Sequence, residues 1–207
     1  MTDLPTDGDR SGTRSRAGNN MSRSRAGILS GAAACLERYG PRKTTMADIS
    51  REGGIAKATL YNHFRDKSEV YAALLEREVD EVLARVRDAM AKAVADAGHD
   101  RGSAPLAAAL ATAAVEVAGH RVLRRVVEAE PVLLAALVQP RDNVPWQRAR
   151  ELAEVVVGDA GAADLALRWV LSHAGWPADA GEVAAGAARL ATALTPGADQ
   201  AATPASG

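Results

Sequence analysis

The residues best suited to chemistry in this chain lie in the stretch Lys57-Ala58-Thr59-Leu60-Tyr61-Asn62-His63-Phe64, and the chemistry they suggest is recognition rather than reaction. On a helix, Leu60 and Phe64 form an i, i+4 pair that can anchor one face to a core. At about 100° per residue, Ala58, Tyr61 and Asn62 then point away from that anchor, with Lys57 on the flank. Asparagine can contact adenine bidentately, lysine can contact guanine, and a small alanine allows close approach or a thymine-methyl contact. Nothing comparable suggests catalysis. There is no glycine-rich phosphate loop, no nucleophile elbow and no carboxylate pair suited to acid–base work on one helix, and Glu128 and Glu130 read as solvated. His99, His120 and His173 are scattered without metal-ligand spacing, so neither metal nor cofactor is expected. The single cysteine, Cys35, falls on an apolar stripe and reads as a small hydrophobe.

The elements around this stretch are those needed to present it. A first helix over about 22–39 carries Ile28, Leu29, Ala32, Ala33, Leu36 and Tyr39 on one stripe, and Gly40-Pro41 end it. Thr45 opens a second helix, with Asp48 three residues on as the other half of a capping-box pair. Met46, Ile49 and Ser50 are expected to face inward, and Gly53-Gly54 stop the helix. After a turn through Ile55 comes the short helix of about 57–64. Two short helices joined by a glycine turn make a helix-turn-helix. A fourth helix follows from Lys67 to about Ala97, with Val70, Leu74, Leu75, Glu78, Val82, Leu83, Val86 and Met90 on its stripe. Its first amides, assisted by Lys67, are placed to hold a DNA phosphate.

Charge agrees with this reading. Residues 10–67 hold 12 Lys/Arg against 4 Asp/Glu, a net +8, whereas residues 68–207 hold 13 against 19, a net −6. A basic end on an acidic body is expected when one end meets phosphates. Alanine abundance, 3% aromatic content and the near absence of strand punctuation predict an all-α protein of about nine helices. The later helices are expected over about 104–119, 121–129, 131–157 (interrupted near Pro140–Pro145), 162–175 and 179–194. The domains divide as a disordered arm over 1–21, a helix-turn-helix domain over 22–67, a larger helical domain over 68–194 and a disordered tail over 195–207. Arg10, Arg14, Arg16, Arg23 and Arg25 would let the arm region reach phosphates or a minor groove. No apolar run approaches a membrane span, and no secretory signal is visible. A cytoplasmic location follows as the simplest expectation.

From Arg25 to Glu76 the chain resembles the DNA-binding domain of the TetR family of bacterial transcriptional repressors. The resemblance is carried jointly by Tyr39-Gly40, Thr44-Thr45, Asp48-Ile49, Gly54-Ile55, Thr59-Leu60-Tyr61, His63-Phe64 and Lys67. It departs at Ala56, where the family often has serine, and at Gly53, where alanine is common. The resemblance implies Lys57, Ala58 and Asn62 as base readers, Tyr61, His63 and Lys67 as phosphate contacts, and Thr59 within the same helix. Thr45 and Met46 would lie against the DNA backbone, with Arg42 and Lys43 adding phosphate contacts. It further implies a homodimer built from the last two helices, with Leu165, Trp169, Val183, Ala187, Leu190 and Leu194 at the interface. A small-molecule effector would bind between helices four to eight, where Val86, Met90, Leu110, Val117, His120, Trp146 and His173 are candidate walls. The expected function is a dimeric repressor released from a palindromic double-stranded operator by that effector. An activator, or a non-specific DNA-binding protein without a ligand switch, is the alternative. An enzyme carrying the same head would need a catalytic constellation in 85–194, and none is seen.

Overall fold

The computed structural model describes residues 10–97, 102–129, 144–176 and 178–195. These residues form nine helices and no strand: α1 (Arg10–Lys43), α2 (Met46–Glu52), α3 (Lys57–His63), α4 (Lys67–Ala97), α5 (Ala104–Gly119), α6 (Arg121–Ala129), α7 (Val144–Val157), α8 (Ala160–Ser172) and α9 (Ala180–Leu194). The all-α expectation holds. The chain divides into two compact units, Met1–Leu74 and Leu75–Gly207. The head therefore takes in the start of α4, beyond the expected boundary at residue 67, because Val70, Ala73 and Leu74 are buried.

Within the first unit, α1 starts at Arg10, which corrects the expectation of a disordered arm up to residue 21. Residues 10–21 are mostly glycine, asparagine, serine and arginine with one alanine, so local propensity alone does not account for this extension. Once the apolar stripe around Ile28–Leu36 has nucleated the helix, each further residue adds one backbone bond without a new nucleus. Residues 1–9 lie outside the described residues. Gly40 interrupts α1 with φ 76 and ψ 171, and one more turn follows through Pro41 to Lys43. Thr44 closes that turn: its buried hydroxyl donates to the Gly40 carbonyl at 2.8 Å.

α1 and α2 approach backbone to backbone. A Cβ added at Gly31 would lie 2.6 Å from Gly53 N and 2.8 Å from Ile49 O, and one at Gly53 would lie 2.6 Å from Gly27 O. Gly53 itself has an ordinary φ of −78, so its role is close approach rather than an unusual turn. Gly54, at φ 63, supplies the left-handed residue of the turn. Ile28, Ile49, Leu60 and Val70 are fully buried and form the apolar centre of the head.

The second unit is built on small side chains. Leu106, Leu110, Val157, Ala166, Val170, Ala187 and Ala191 form one buried cluster, with Val117, Trp169, Leu190 and Leu194 packed against it. α5 lies along α9, and α7 pairs with α8 across Gly158 at φ 79. Asp159 caps α8 through the Ala162 amide at 2.7 Å, which starts that helix slightly earlier than expected. Asp179 and Glu182 form a capping box at the start of α9. Residues 130–143 and 196–207, including part of the expected 131–157 helix and nearly all of the expected tail, lie outside the described residues.

This core takes in part of the expected dimer stripe. Val183 and Ala187 are 1% and 0% exposed within the single chain. Trp169, Leu190 and Leu194 pack on the same cluster, and the Trp169 ring sits in the notch left by Gly186. Trp169, Leu190 and Leu194 remain half-buried. Of the stripe, Leu165 alone is well exposed, at 51%. Ala187 and Ala191 serve close packing of α9 within the chain's own core.

Replacing Gly31 by alanine sets two effects against each other. Helix propensity favours alanine by about 1 kcal/mol. The steric clash falls on backbone that no rotamer change can move aside, and overpacking costs about 1–3 kcal/mol or more. Gly31→Ala is therefore expected to lower stability in chemical denaturation. Gly119→Ala, with nothing within 4 Å of the new Cβ, is the control and should be neutral or slightly stabilising. Equal stability of the Gly31 variant and wild type would refute the close-approach account.

Candidate nucleic-acid interface

The interface is assembled from α2 upward. Thr45 caps α2: its hydroxyl oxygen accepts the Asp48 amide at 3.2 Å, and the Asp48 carboxylate accepts the Thr45 amide at 3.1 Å. Asp48 also accepts from Arg51 at 2.6 Å. Bonds from Thr45 and Arg51 hold its carboxyl below the ordinary carboxylate range. At the other end of α2, Ser50 Oγ donates to the Ile55 carbonyl at 2.6 Å, and the Ile55 amide returns a bond to the Ser50 carbonyl at 3.0 Å. This reciprocal pair sets the turn and hence the direction in which α3 leaves it.

α3 begins at Lys57 with no side-chain cap from Ala56, matching the departure seen in the sequence. Leu60 at 0% and Phe64 at 4% exposure lock its inner face. Lys57, Ala58, Tyr61 and Asn62 are exposed, Tyr61 at 54%, while Thr59 and His63 are half-buried at the edges. The His63 ring lies 6.2 Å from Phe64. Arg42, Lys43 and Thr45 are exposed and Met46 is half-buried. The expected reading arc is thus brought together on one outward face of the head.

Lys67 has a more demanding position than the sequence suggested. Its ammonium donates to the carbonyls of Pro41 at 2.8 Å and Thr44 at 3.0 Å. The Tyr71 hydroxyl also donates to Pro41, at 3.3 Å, and the ammonium lies 5.8 Å from the Tyr71 ring. The start of α4 therefore clasps the joint that carries Arg42 and Lys43. Two of the three ammonium donors are used in this way. The start of α4, where a phosphate site was expected, is capped from within. The Glu69 amide donates to Asp66 at 3.0 Å, and the Glu69 carboxylate accepts from the Arg65 amide at 2.7 Å. Two carboxylates occupy that helix start, and an anion there would meet like charge. The Asp66-x-x-Glu69 spacing was a readable capping signal that the sequence reading passed over. Tyr71 and Thr44 were also missed, and their long-range or buried bonds leave no local signature.

The candidate effector walls all lie in the second unit. Leu110 and Val117 belong to the apolar cluster of the second unit, and Val86 is buried. Met90 and Trp146 are half-buried. His173 is buried, with Nδ1 2.9 Å from the Trp169 carbonyl and its ring edge-on to Trp169. His120 is tied to α4. Its Nδ1 accepts the Leu123 amide at 3.2 Å, so Nε2 carries the proton and donates to Glu78 at 3.1 Å. Arg77 donates to the other Glu78 oxygen at 2.6 Å. The bond from His120, then those from Arg77, outweigh burial and hold the Glu78 carboxyl down at about 2. This accounts for a glutamate on the apolar stripe of α4.

Residues 28–74 match the family described as bacterial regulatory proteins, tetR family. The N-terminal head, residues 28–74, is of the TetR type. Over 97 residues it is 33% identical to the transcriptional activator FasR of Mycolicibacterium smegmatis, an alignment covering 44% of each protein. Over 73 residues it is 37% identical to the transcriptional repressor KstR2 of Mycobacterium tuberculosis, covering 35% of this chain and 36% of that protein. The chain thus spans less than half the length of these curated relatives. The TetR-like fold extends further. The fatty acid degradation regulator FadR of Bacillus halodurans superposes with a TM-score of 0.61 at 16% identity, covering 84% of this chain and 95% of that one. The repressor AlkX of a Dietzia strain superposes at 0.59 and 19% identity, covering 82% and 94%. Among the described residues, no single helix is long and apolar enough to cross a membrane, and no cluster suited to a metal ion is present.

Two expectations follow for binding. Asn62→Ala should relax preference at one base pair with little change in salt dependence, as measured on a panel of single-substituted duplexes. Lys67→Ala should weaken binding to every duplex, lower the salt slope by about one and, because two carbonyls lose their donor, also lower the melting temperature. A third concerns acid. The Glu78 pKa is lower folded than unfolded, so its contribution is present above about pH 4.5 and is lost as pH falls towards 2. Glu78→Gln should cost on the order of 2 kcal/mol at neutral pH and flatten the acid-unfolding profile across that window.

Proposed function

We propose that this protein is a sequence-specific DNA-binding transcriptional regulator that acts as a homodimeric repressor and leaves a palindromic operator when a small molecule binds. The observation that carries the reading is the exposed Lys57, Ala58, Tyr61 and Asn62 face on a helix whose other side is held by Leu60 and Phe64. The side chains that read base edges are free to enter a major groove, and the backbone that aims them is fixed. Two-fold symmetry would place two such helices about one DNA turn or somewhat more apart.

The partner subunit would meet the outward faces of α8 and α9. There Leu165 is exposed beside a helix whose outer residues include Ala184, Ala185, Ala188 and Arg189. The effector would bind within the second unit and act only through different affinities for two conformations. Operator and effector would then weaken each other reciprocally. α4 is the natural route between them, since it carries Lys67 and Tyr71 near one end and Glu78 further along. Activation is the second reading, and the similarity to FasR, a named activator, favours it.

Selection from sheared DNA of the source organism tests the proposal. Purified protein is mixed with the fragments at about physiological salt, and bound DNA is sequenced. A single enriched palindrome is the expected result. Uniform recovery without a motif would defeat it. Reporter output with the site placed at a promoter then separates repression from activation.

A further inference from the structure

We propose that the N-terminal part of α1 is a basic helical arm that holds duplex DNA outside the half-site read by α3. The proposal rests on the reading of α3 as a groove reader and extends the protein's footprint beyond it. From Arg10 to Leu36 the chain contains no Asp or Glu, and Glu37 is the first carboxylate of α1. The same stretch holds Arg10, Arg14, Arg16, Arg23 and Arg25. The backbone of α1 is helical from Arg10 onward, its one non-helical residue being Gly40.

The direction of the arm follows from where α1 meets its neighbours. Arg38 pairs with Glu52 at the end of α2, Gly31 and Gly27 press on Gly53 and Ile55, and the Arg25 guanidinium lies 5.4 Å over the ring of Phe64 at the end of α3. Followed towards its N-terminus, α1 thus crosses the end of α2, then the turn, then the end of the reading helix, and continues. Asn20, Met21, Ser22, Arg23 and Arg25 are exposed. At 1.5 Å per residue, the helix from Gly27 back to Arg10 extends about 25 Å, a length of about seven base pairs at 3.4 Å each. A basic rod leaving the head beside α3, without a carboxylate of its own, is matched to phosphates flanking the operator. Such contacts add affinity by counterion release without adding base preference.

The test uses the full chain and three DNAs: the selected operator trimmed to its palindrome, the same operator with ten or so base pairs of flank on each side, and a random-sequence duplex of the longer length. The variant Arg10→Ala/Arg14→Ala/Arg16→Ala is compared with wild type by salt titration. The expected result is a salt slope lower by about 2 to 3 per subunit and an affinity lower by about tenfold or more on the flanked operator, with binding to the trimmed palindrome unchanged. Equal behaviour on the flanked operator, or equal loss on both operator duplexes, overturns the arm and leaves the α3 reading intact. If wild type selects no operator, the α3 reading fails; a slope difference on random duplex then still supports the arm, and its absence overturns it. Asn20→Pro keeps every charge but interrupts the helix. It should also lose the flank contribution, and wild-type binding by this variant would overturn the helical form of the arm.

Discussion

The head depends on one constraint: α1 and α2 touch through their backbones at Gly27, Gly31 and Gly53. Side-chain packing can relax by rotamer changes, but a backbone-to-backbone contact cannot. It fixes where α2 ends, and the end of α2 fixes the turn through the reciprocal Ser50–Ile55 bonds. The turn aims α3, and Leu60 and Phe64 hold its roll angle against the core. A reading surface must be held to within a fraction of an ångström to discriminate bases. Here that tolerance is met by stacking a short, weakly capped helix on the least adjustable contact in the domain.

Polar bonds finish what the glycine contact begins. The carbonyls exposed by the break at Gly40 would be costly to leave unpaired. Thr44, Lys67 and Tyr71 supply their donors. This places the first turns of α4 in the head rather than in the body. Further along the same helix, Glu78 is held by His120 and Arg77. α4 is therefore bound at two places by directional, charge-assisted contacts, which resist sliding more than apolar packing does. The second unit follows a different principle. Its core of alanine, leucine and valine with one tryptophan notched over a glycine gains from close helix approach more than from large side chains.

Much of the fold was legible because the signals were local. The Thr45–Asp48 capping pair, the Gly54 turn, the Leu60–Phe64 anchor, the uncapped start at Ala56 and the helices at 104–119 and 121–129 all depend on residues within a few positions of one another. The reading arc followed from the anchor by helical periodicity alone. The Asp66–Glu69 cap was equally local and was overlooked in favour of a phosphate site.

By itself, the sequence determined the helical class, the helix-turn-helix, its outward residues and the family that its head resembles. Tertiary structure decided the rest. It assigned Lys67 to carbonyls 26 and 23 residues away and turned Gly53 from a helix stop into a contact surface. It consumed Val183 and Ala187 in the chain's own core and carried α1 back to Arg10. Periodicity says that a face is apolar, or that a segment can be helical. It does not say which surface will cover that face, because the choice is made by the competing shapes of helices far apart in the chain.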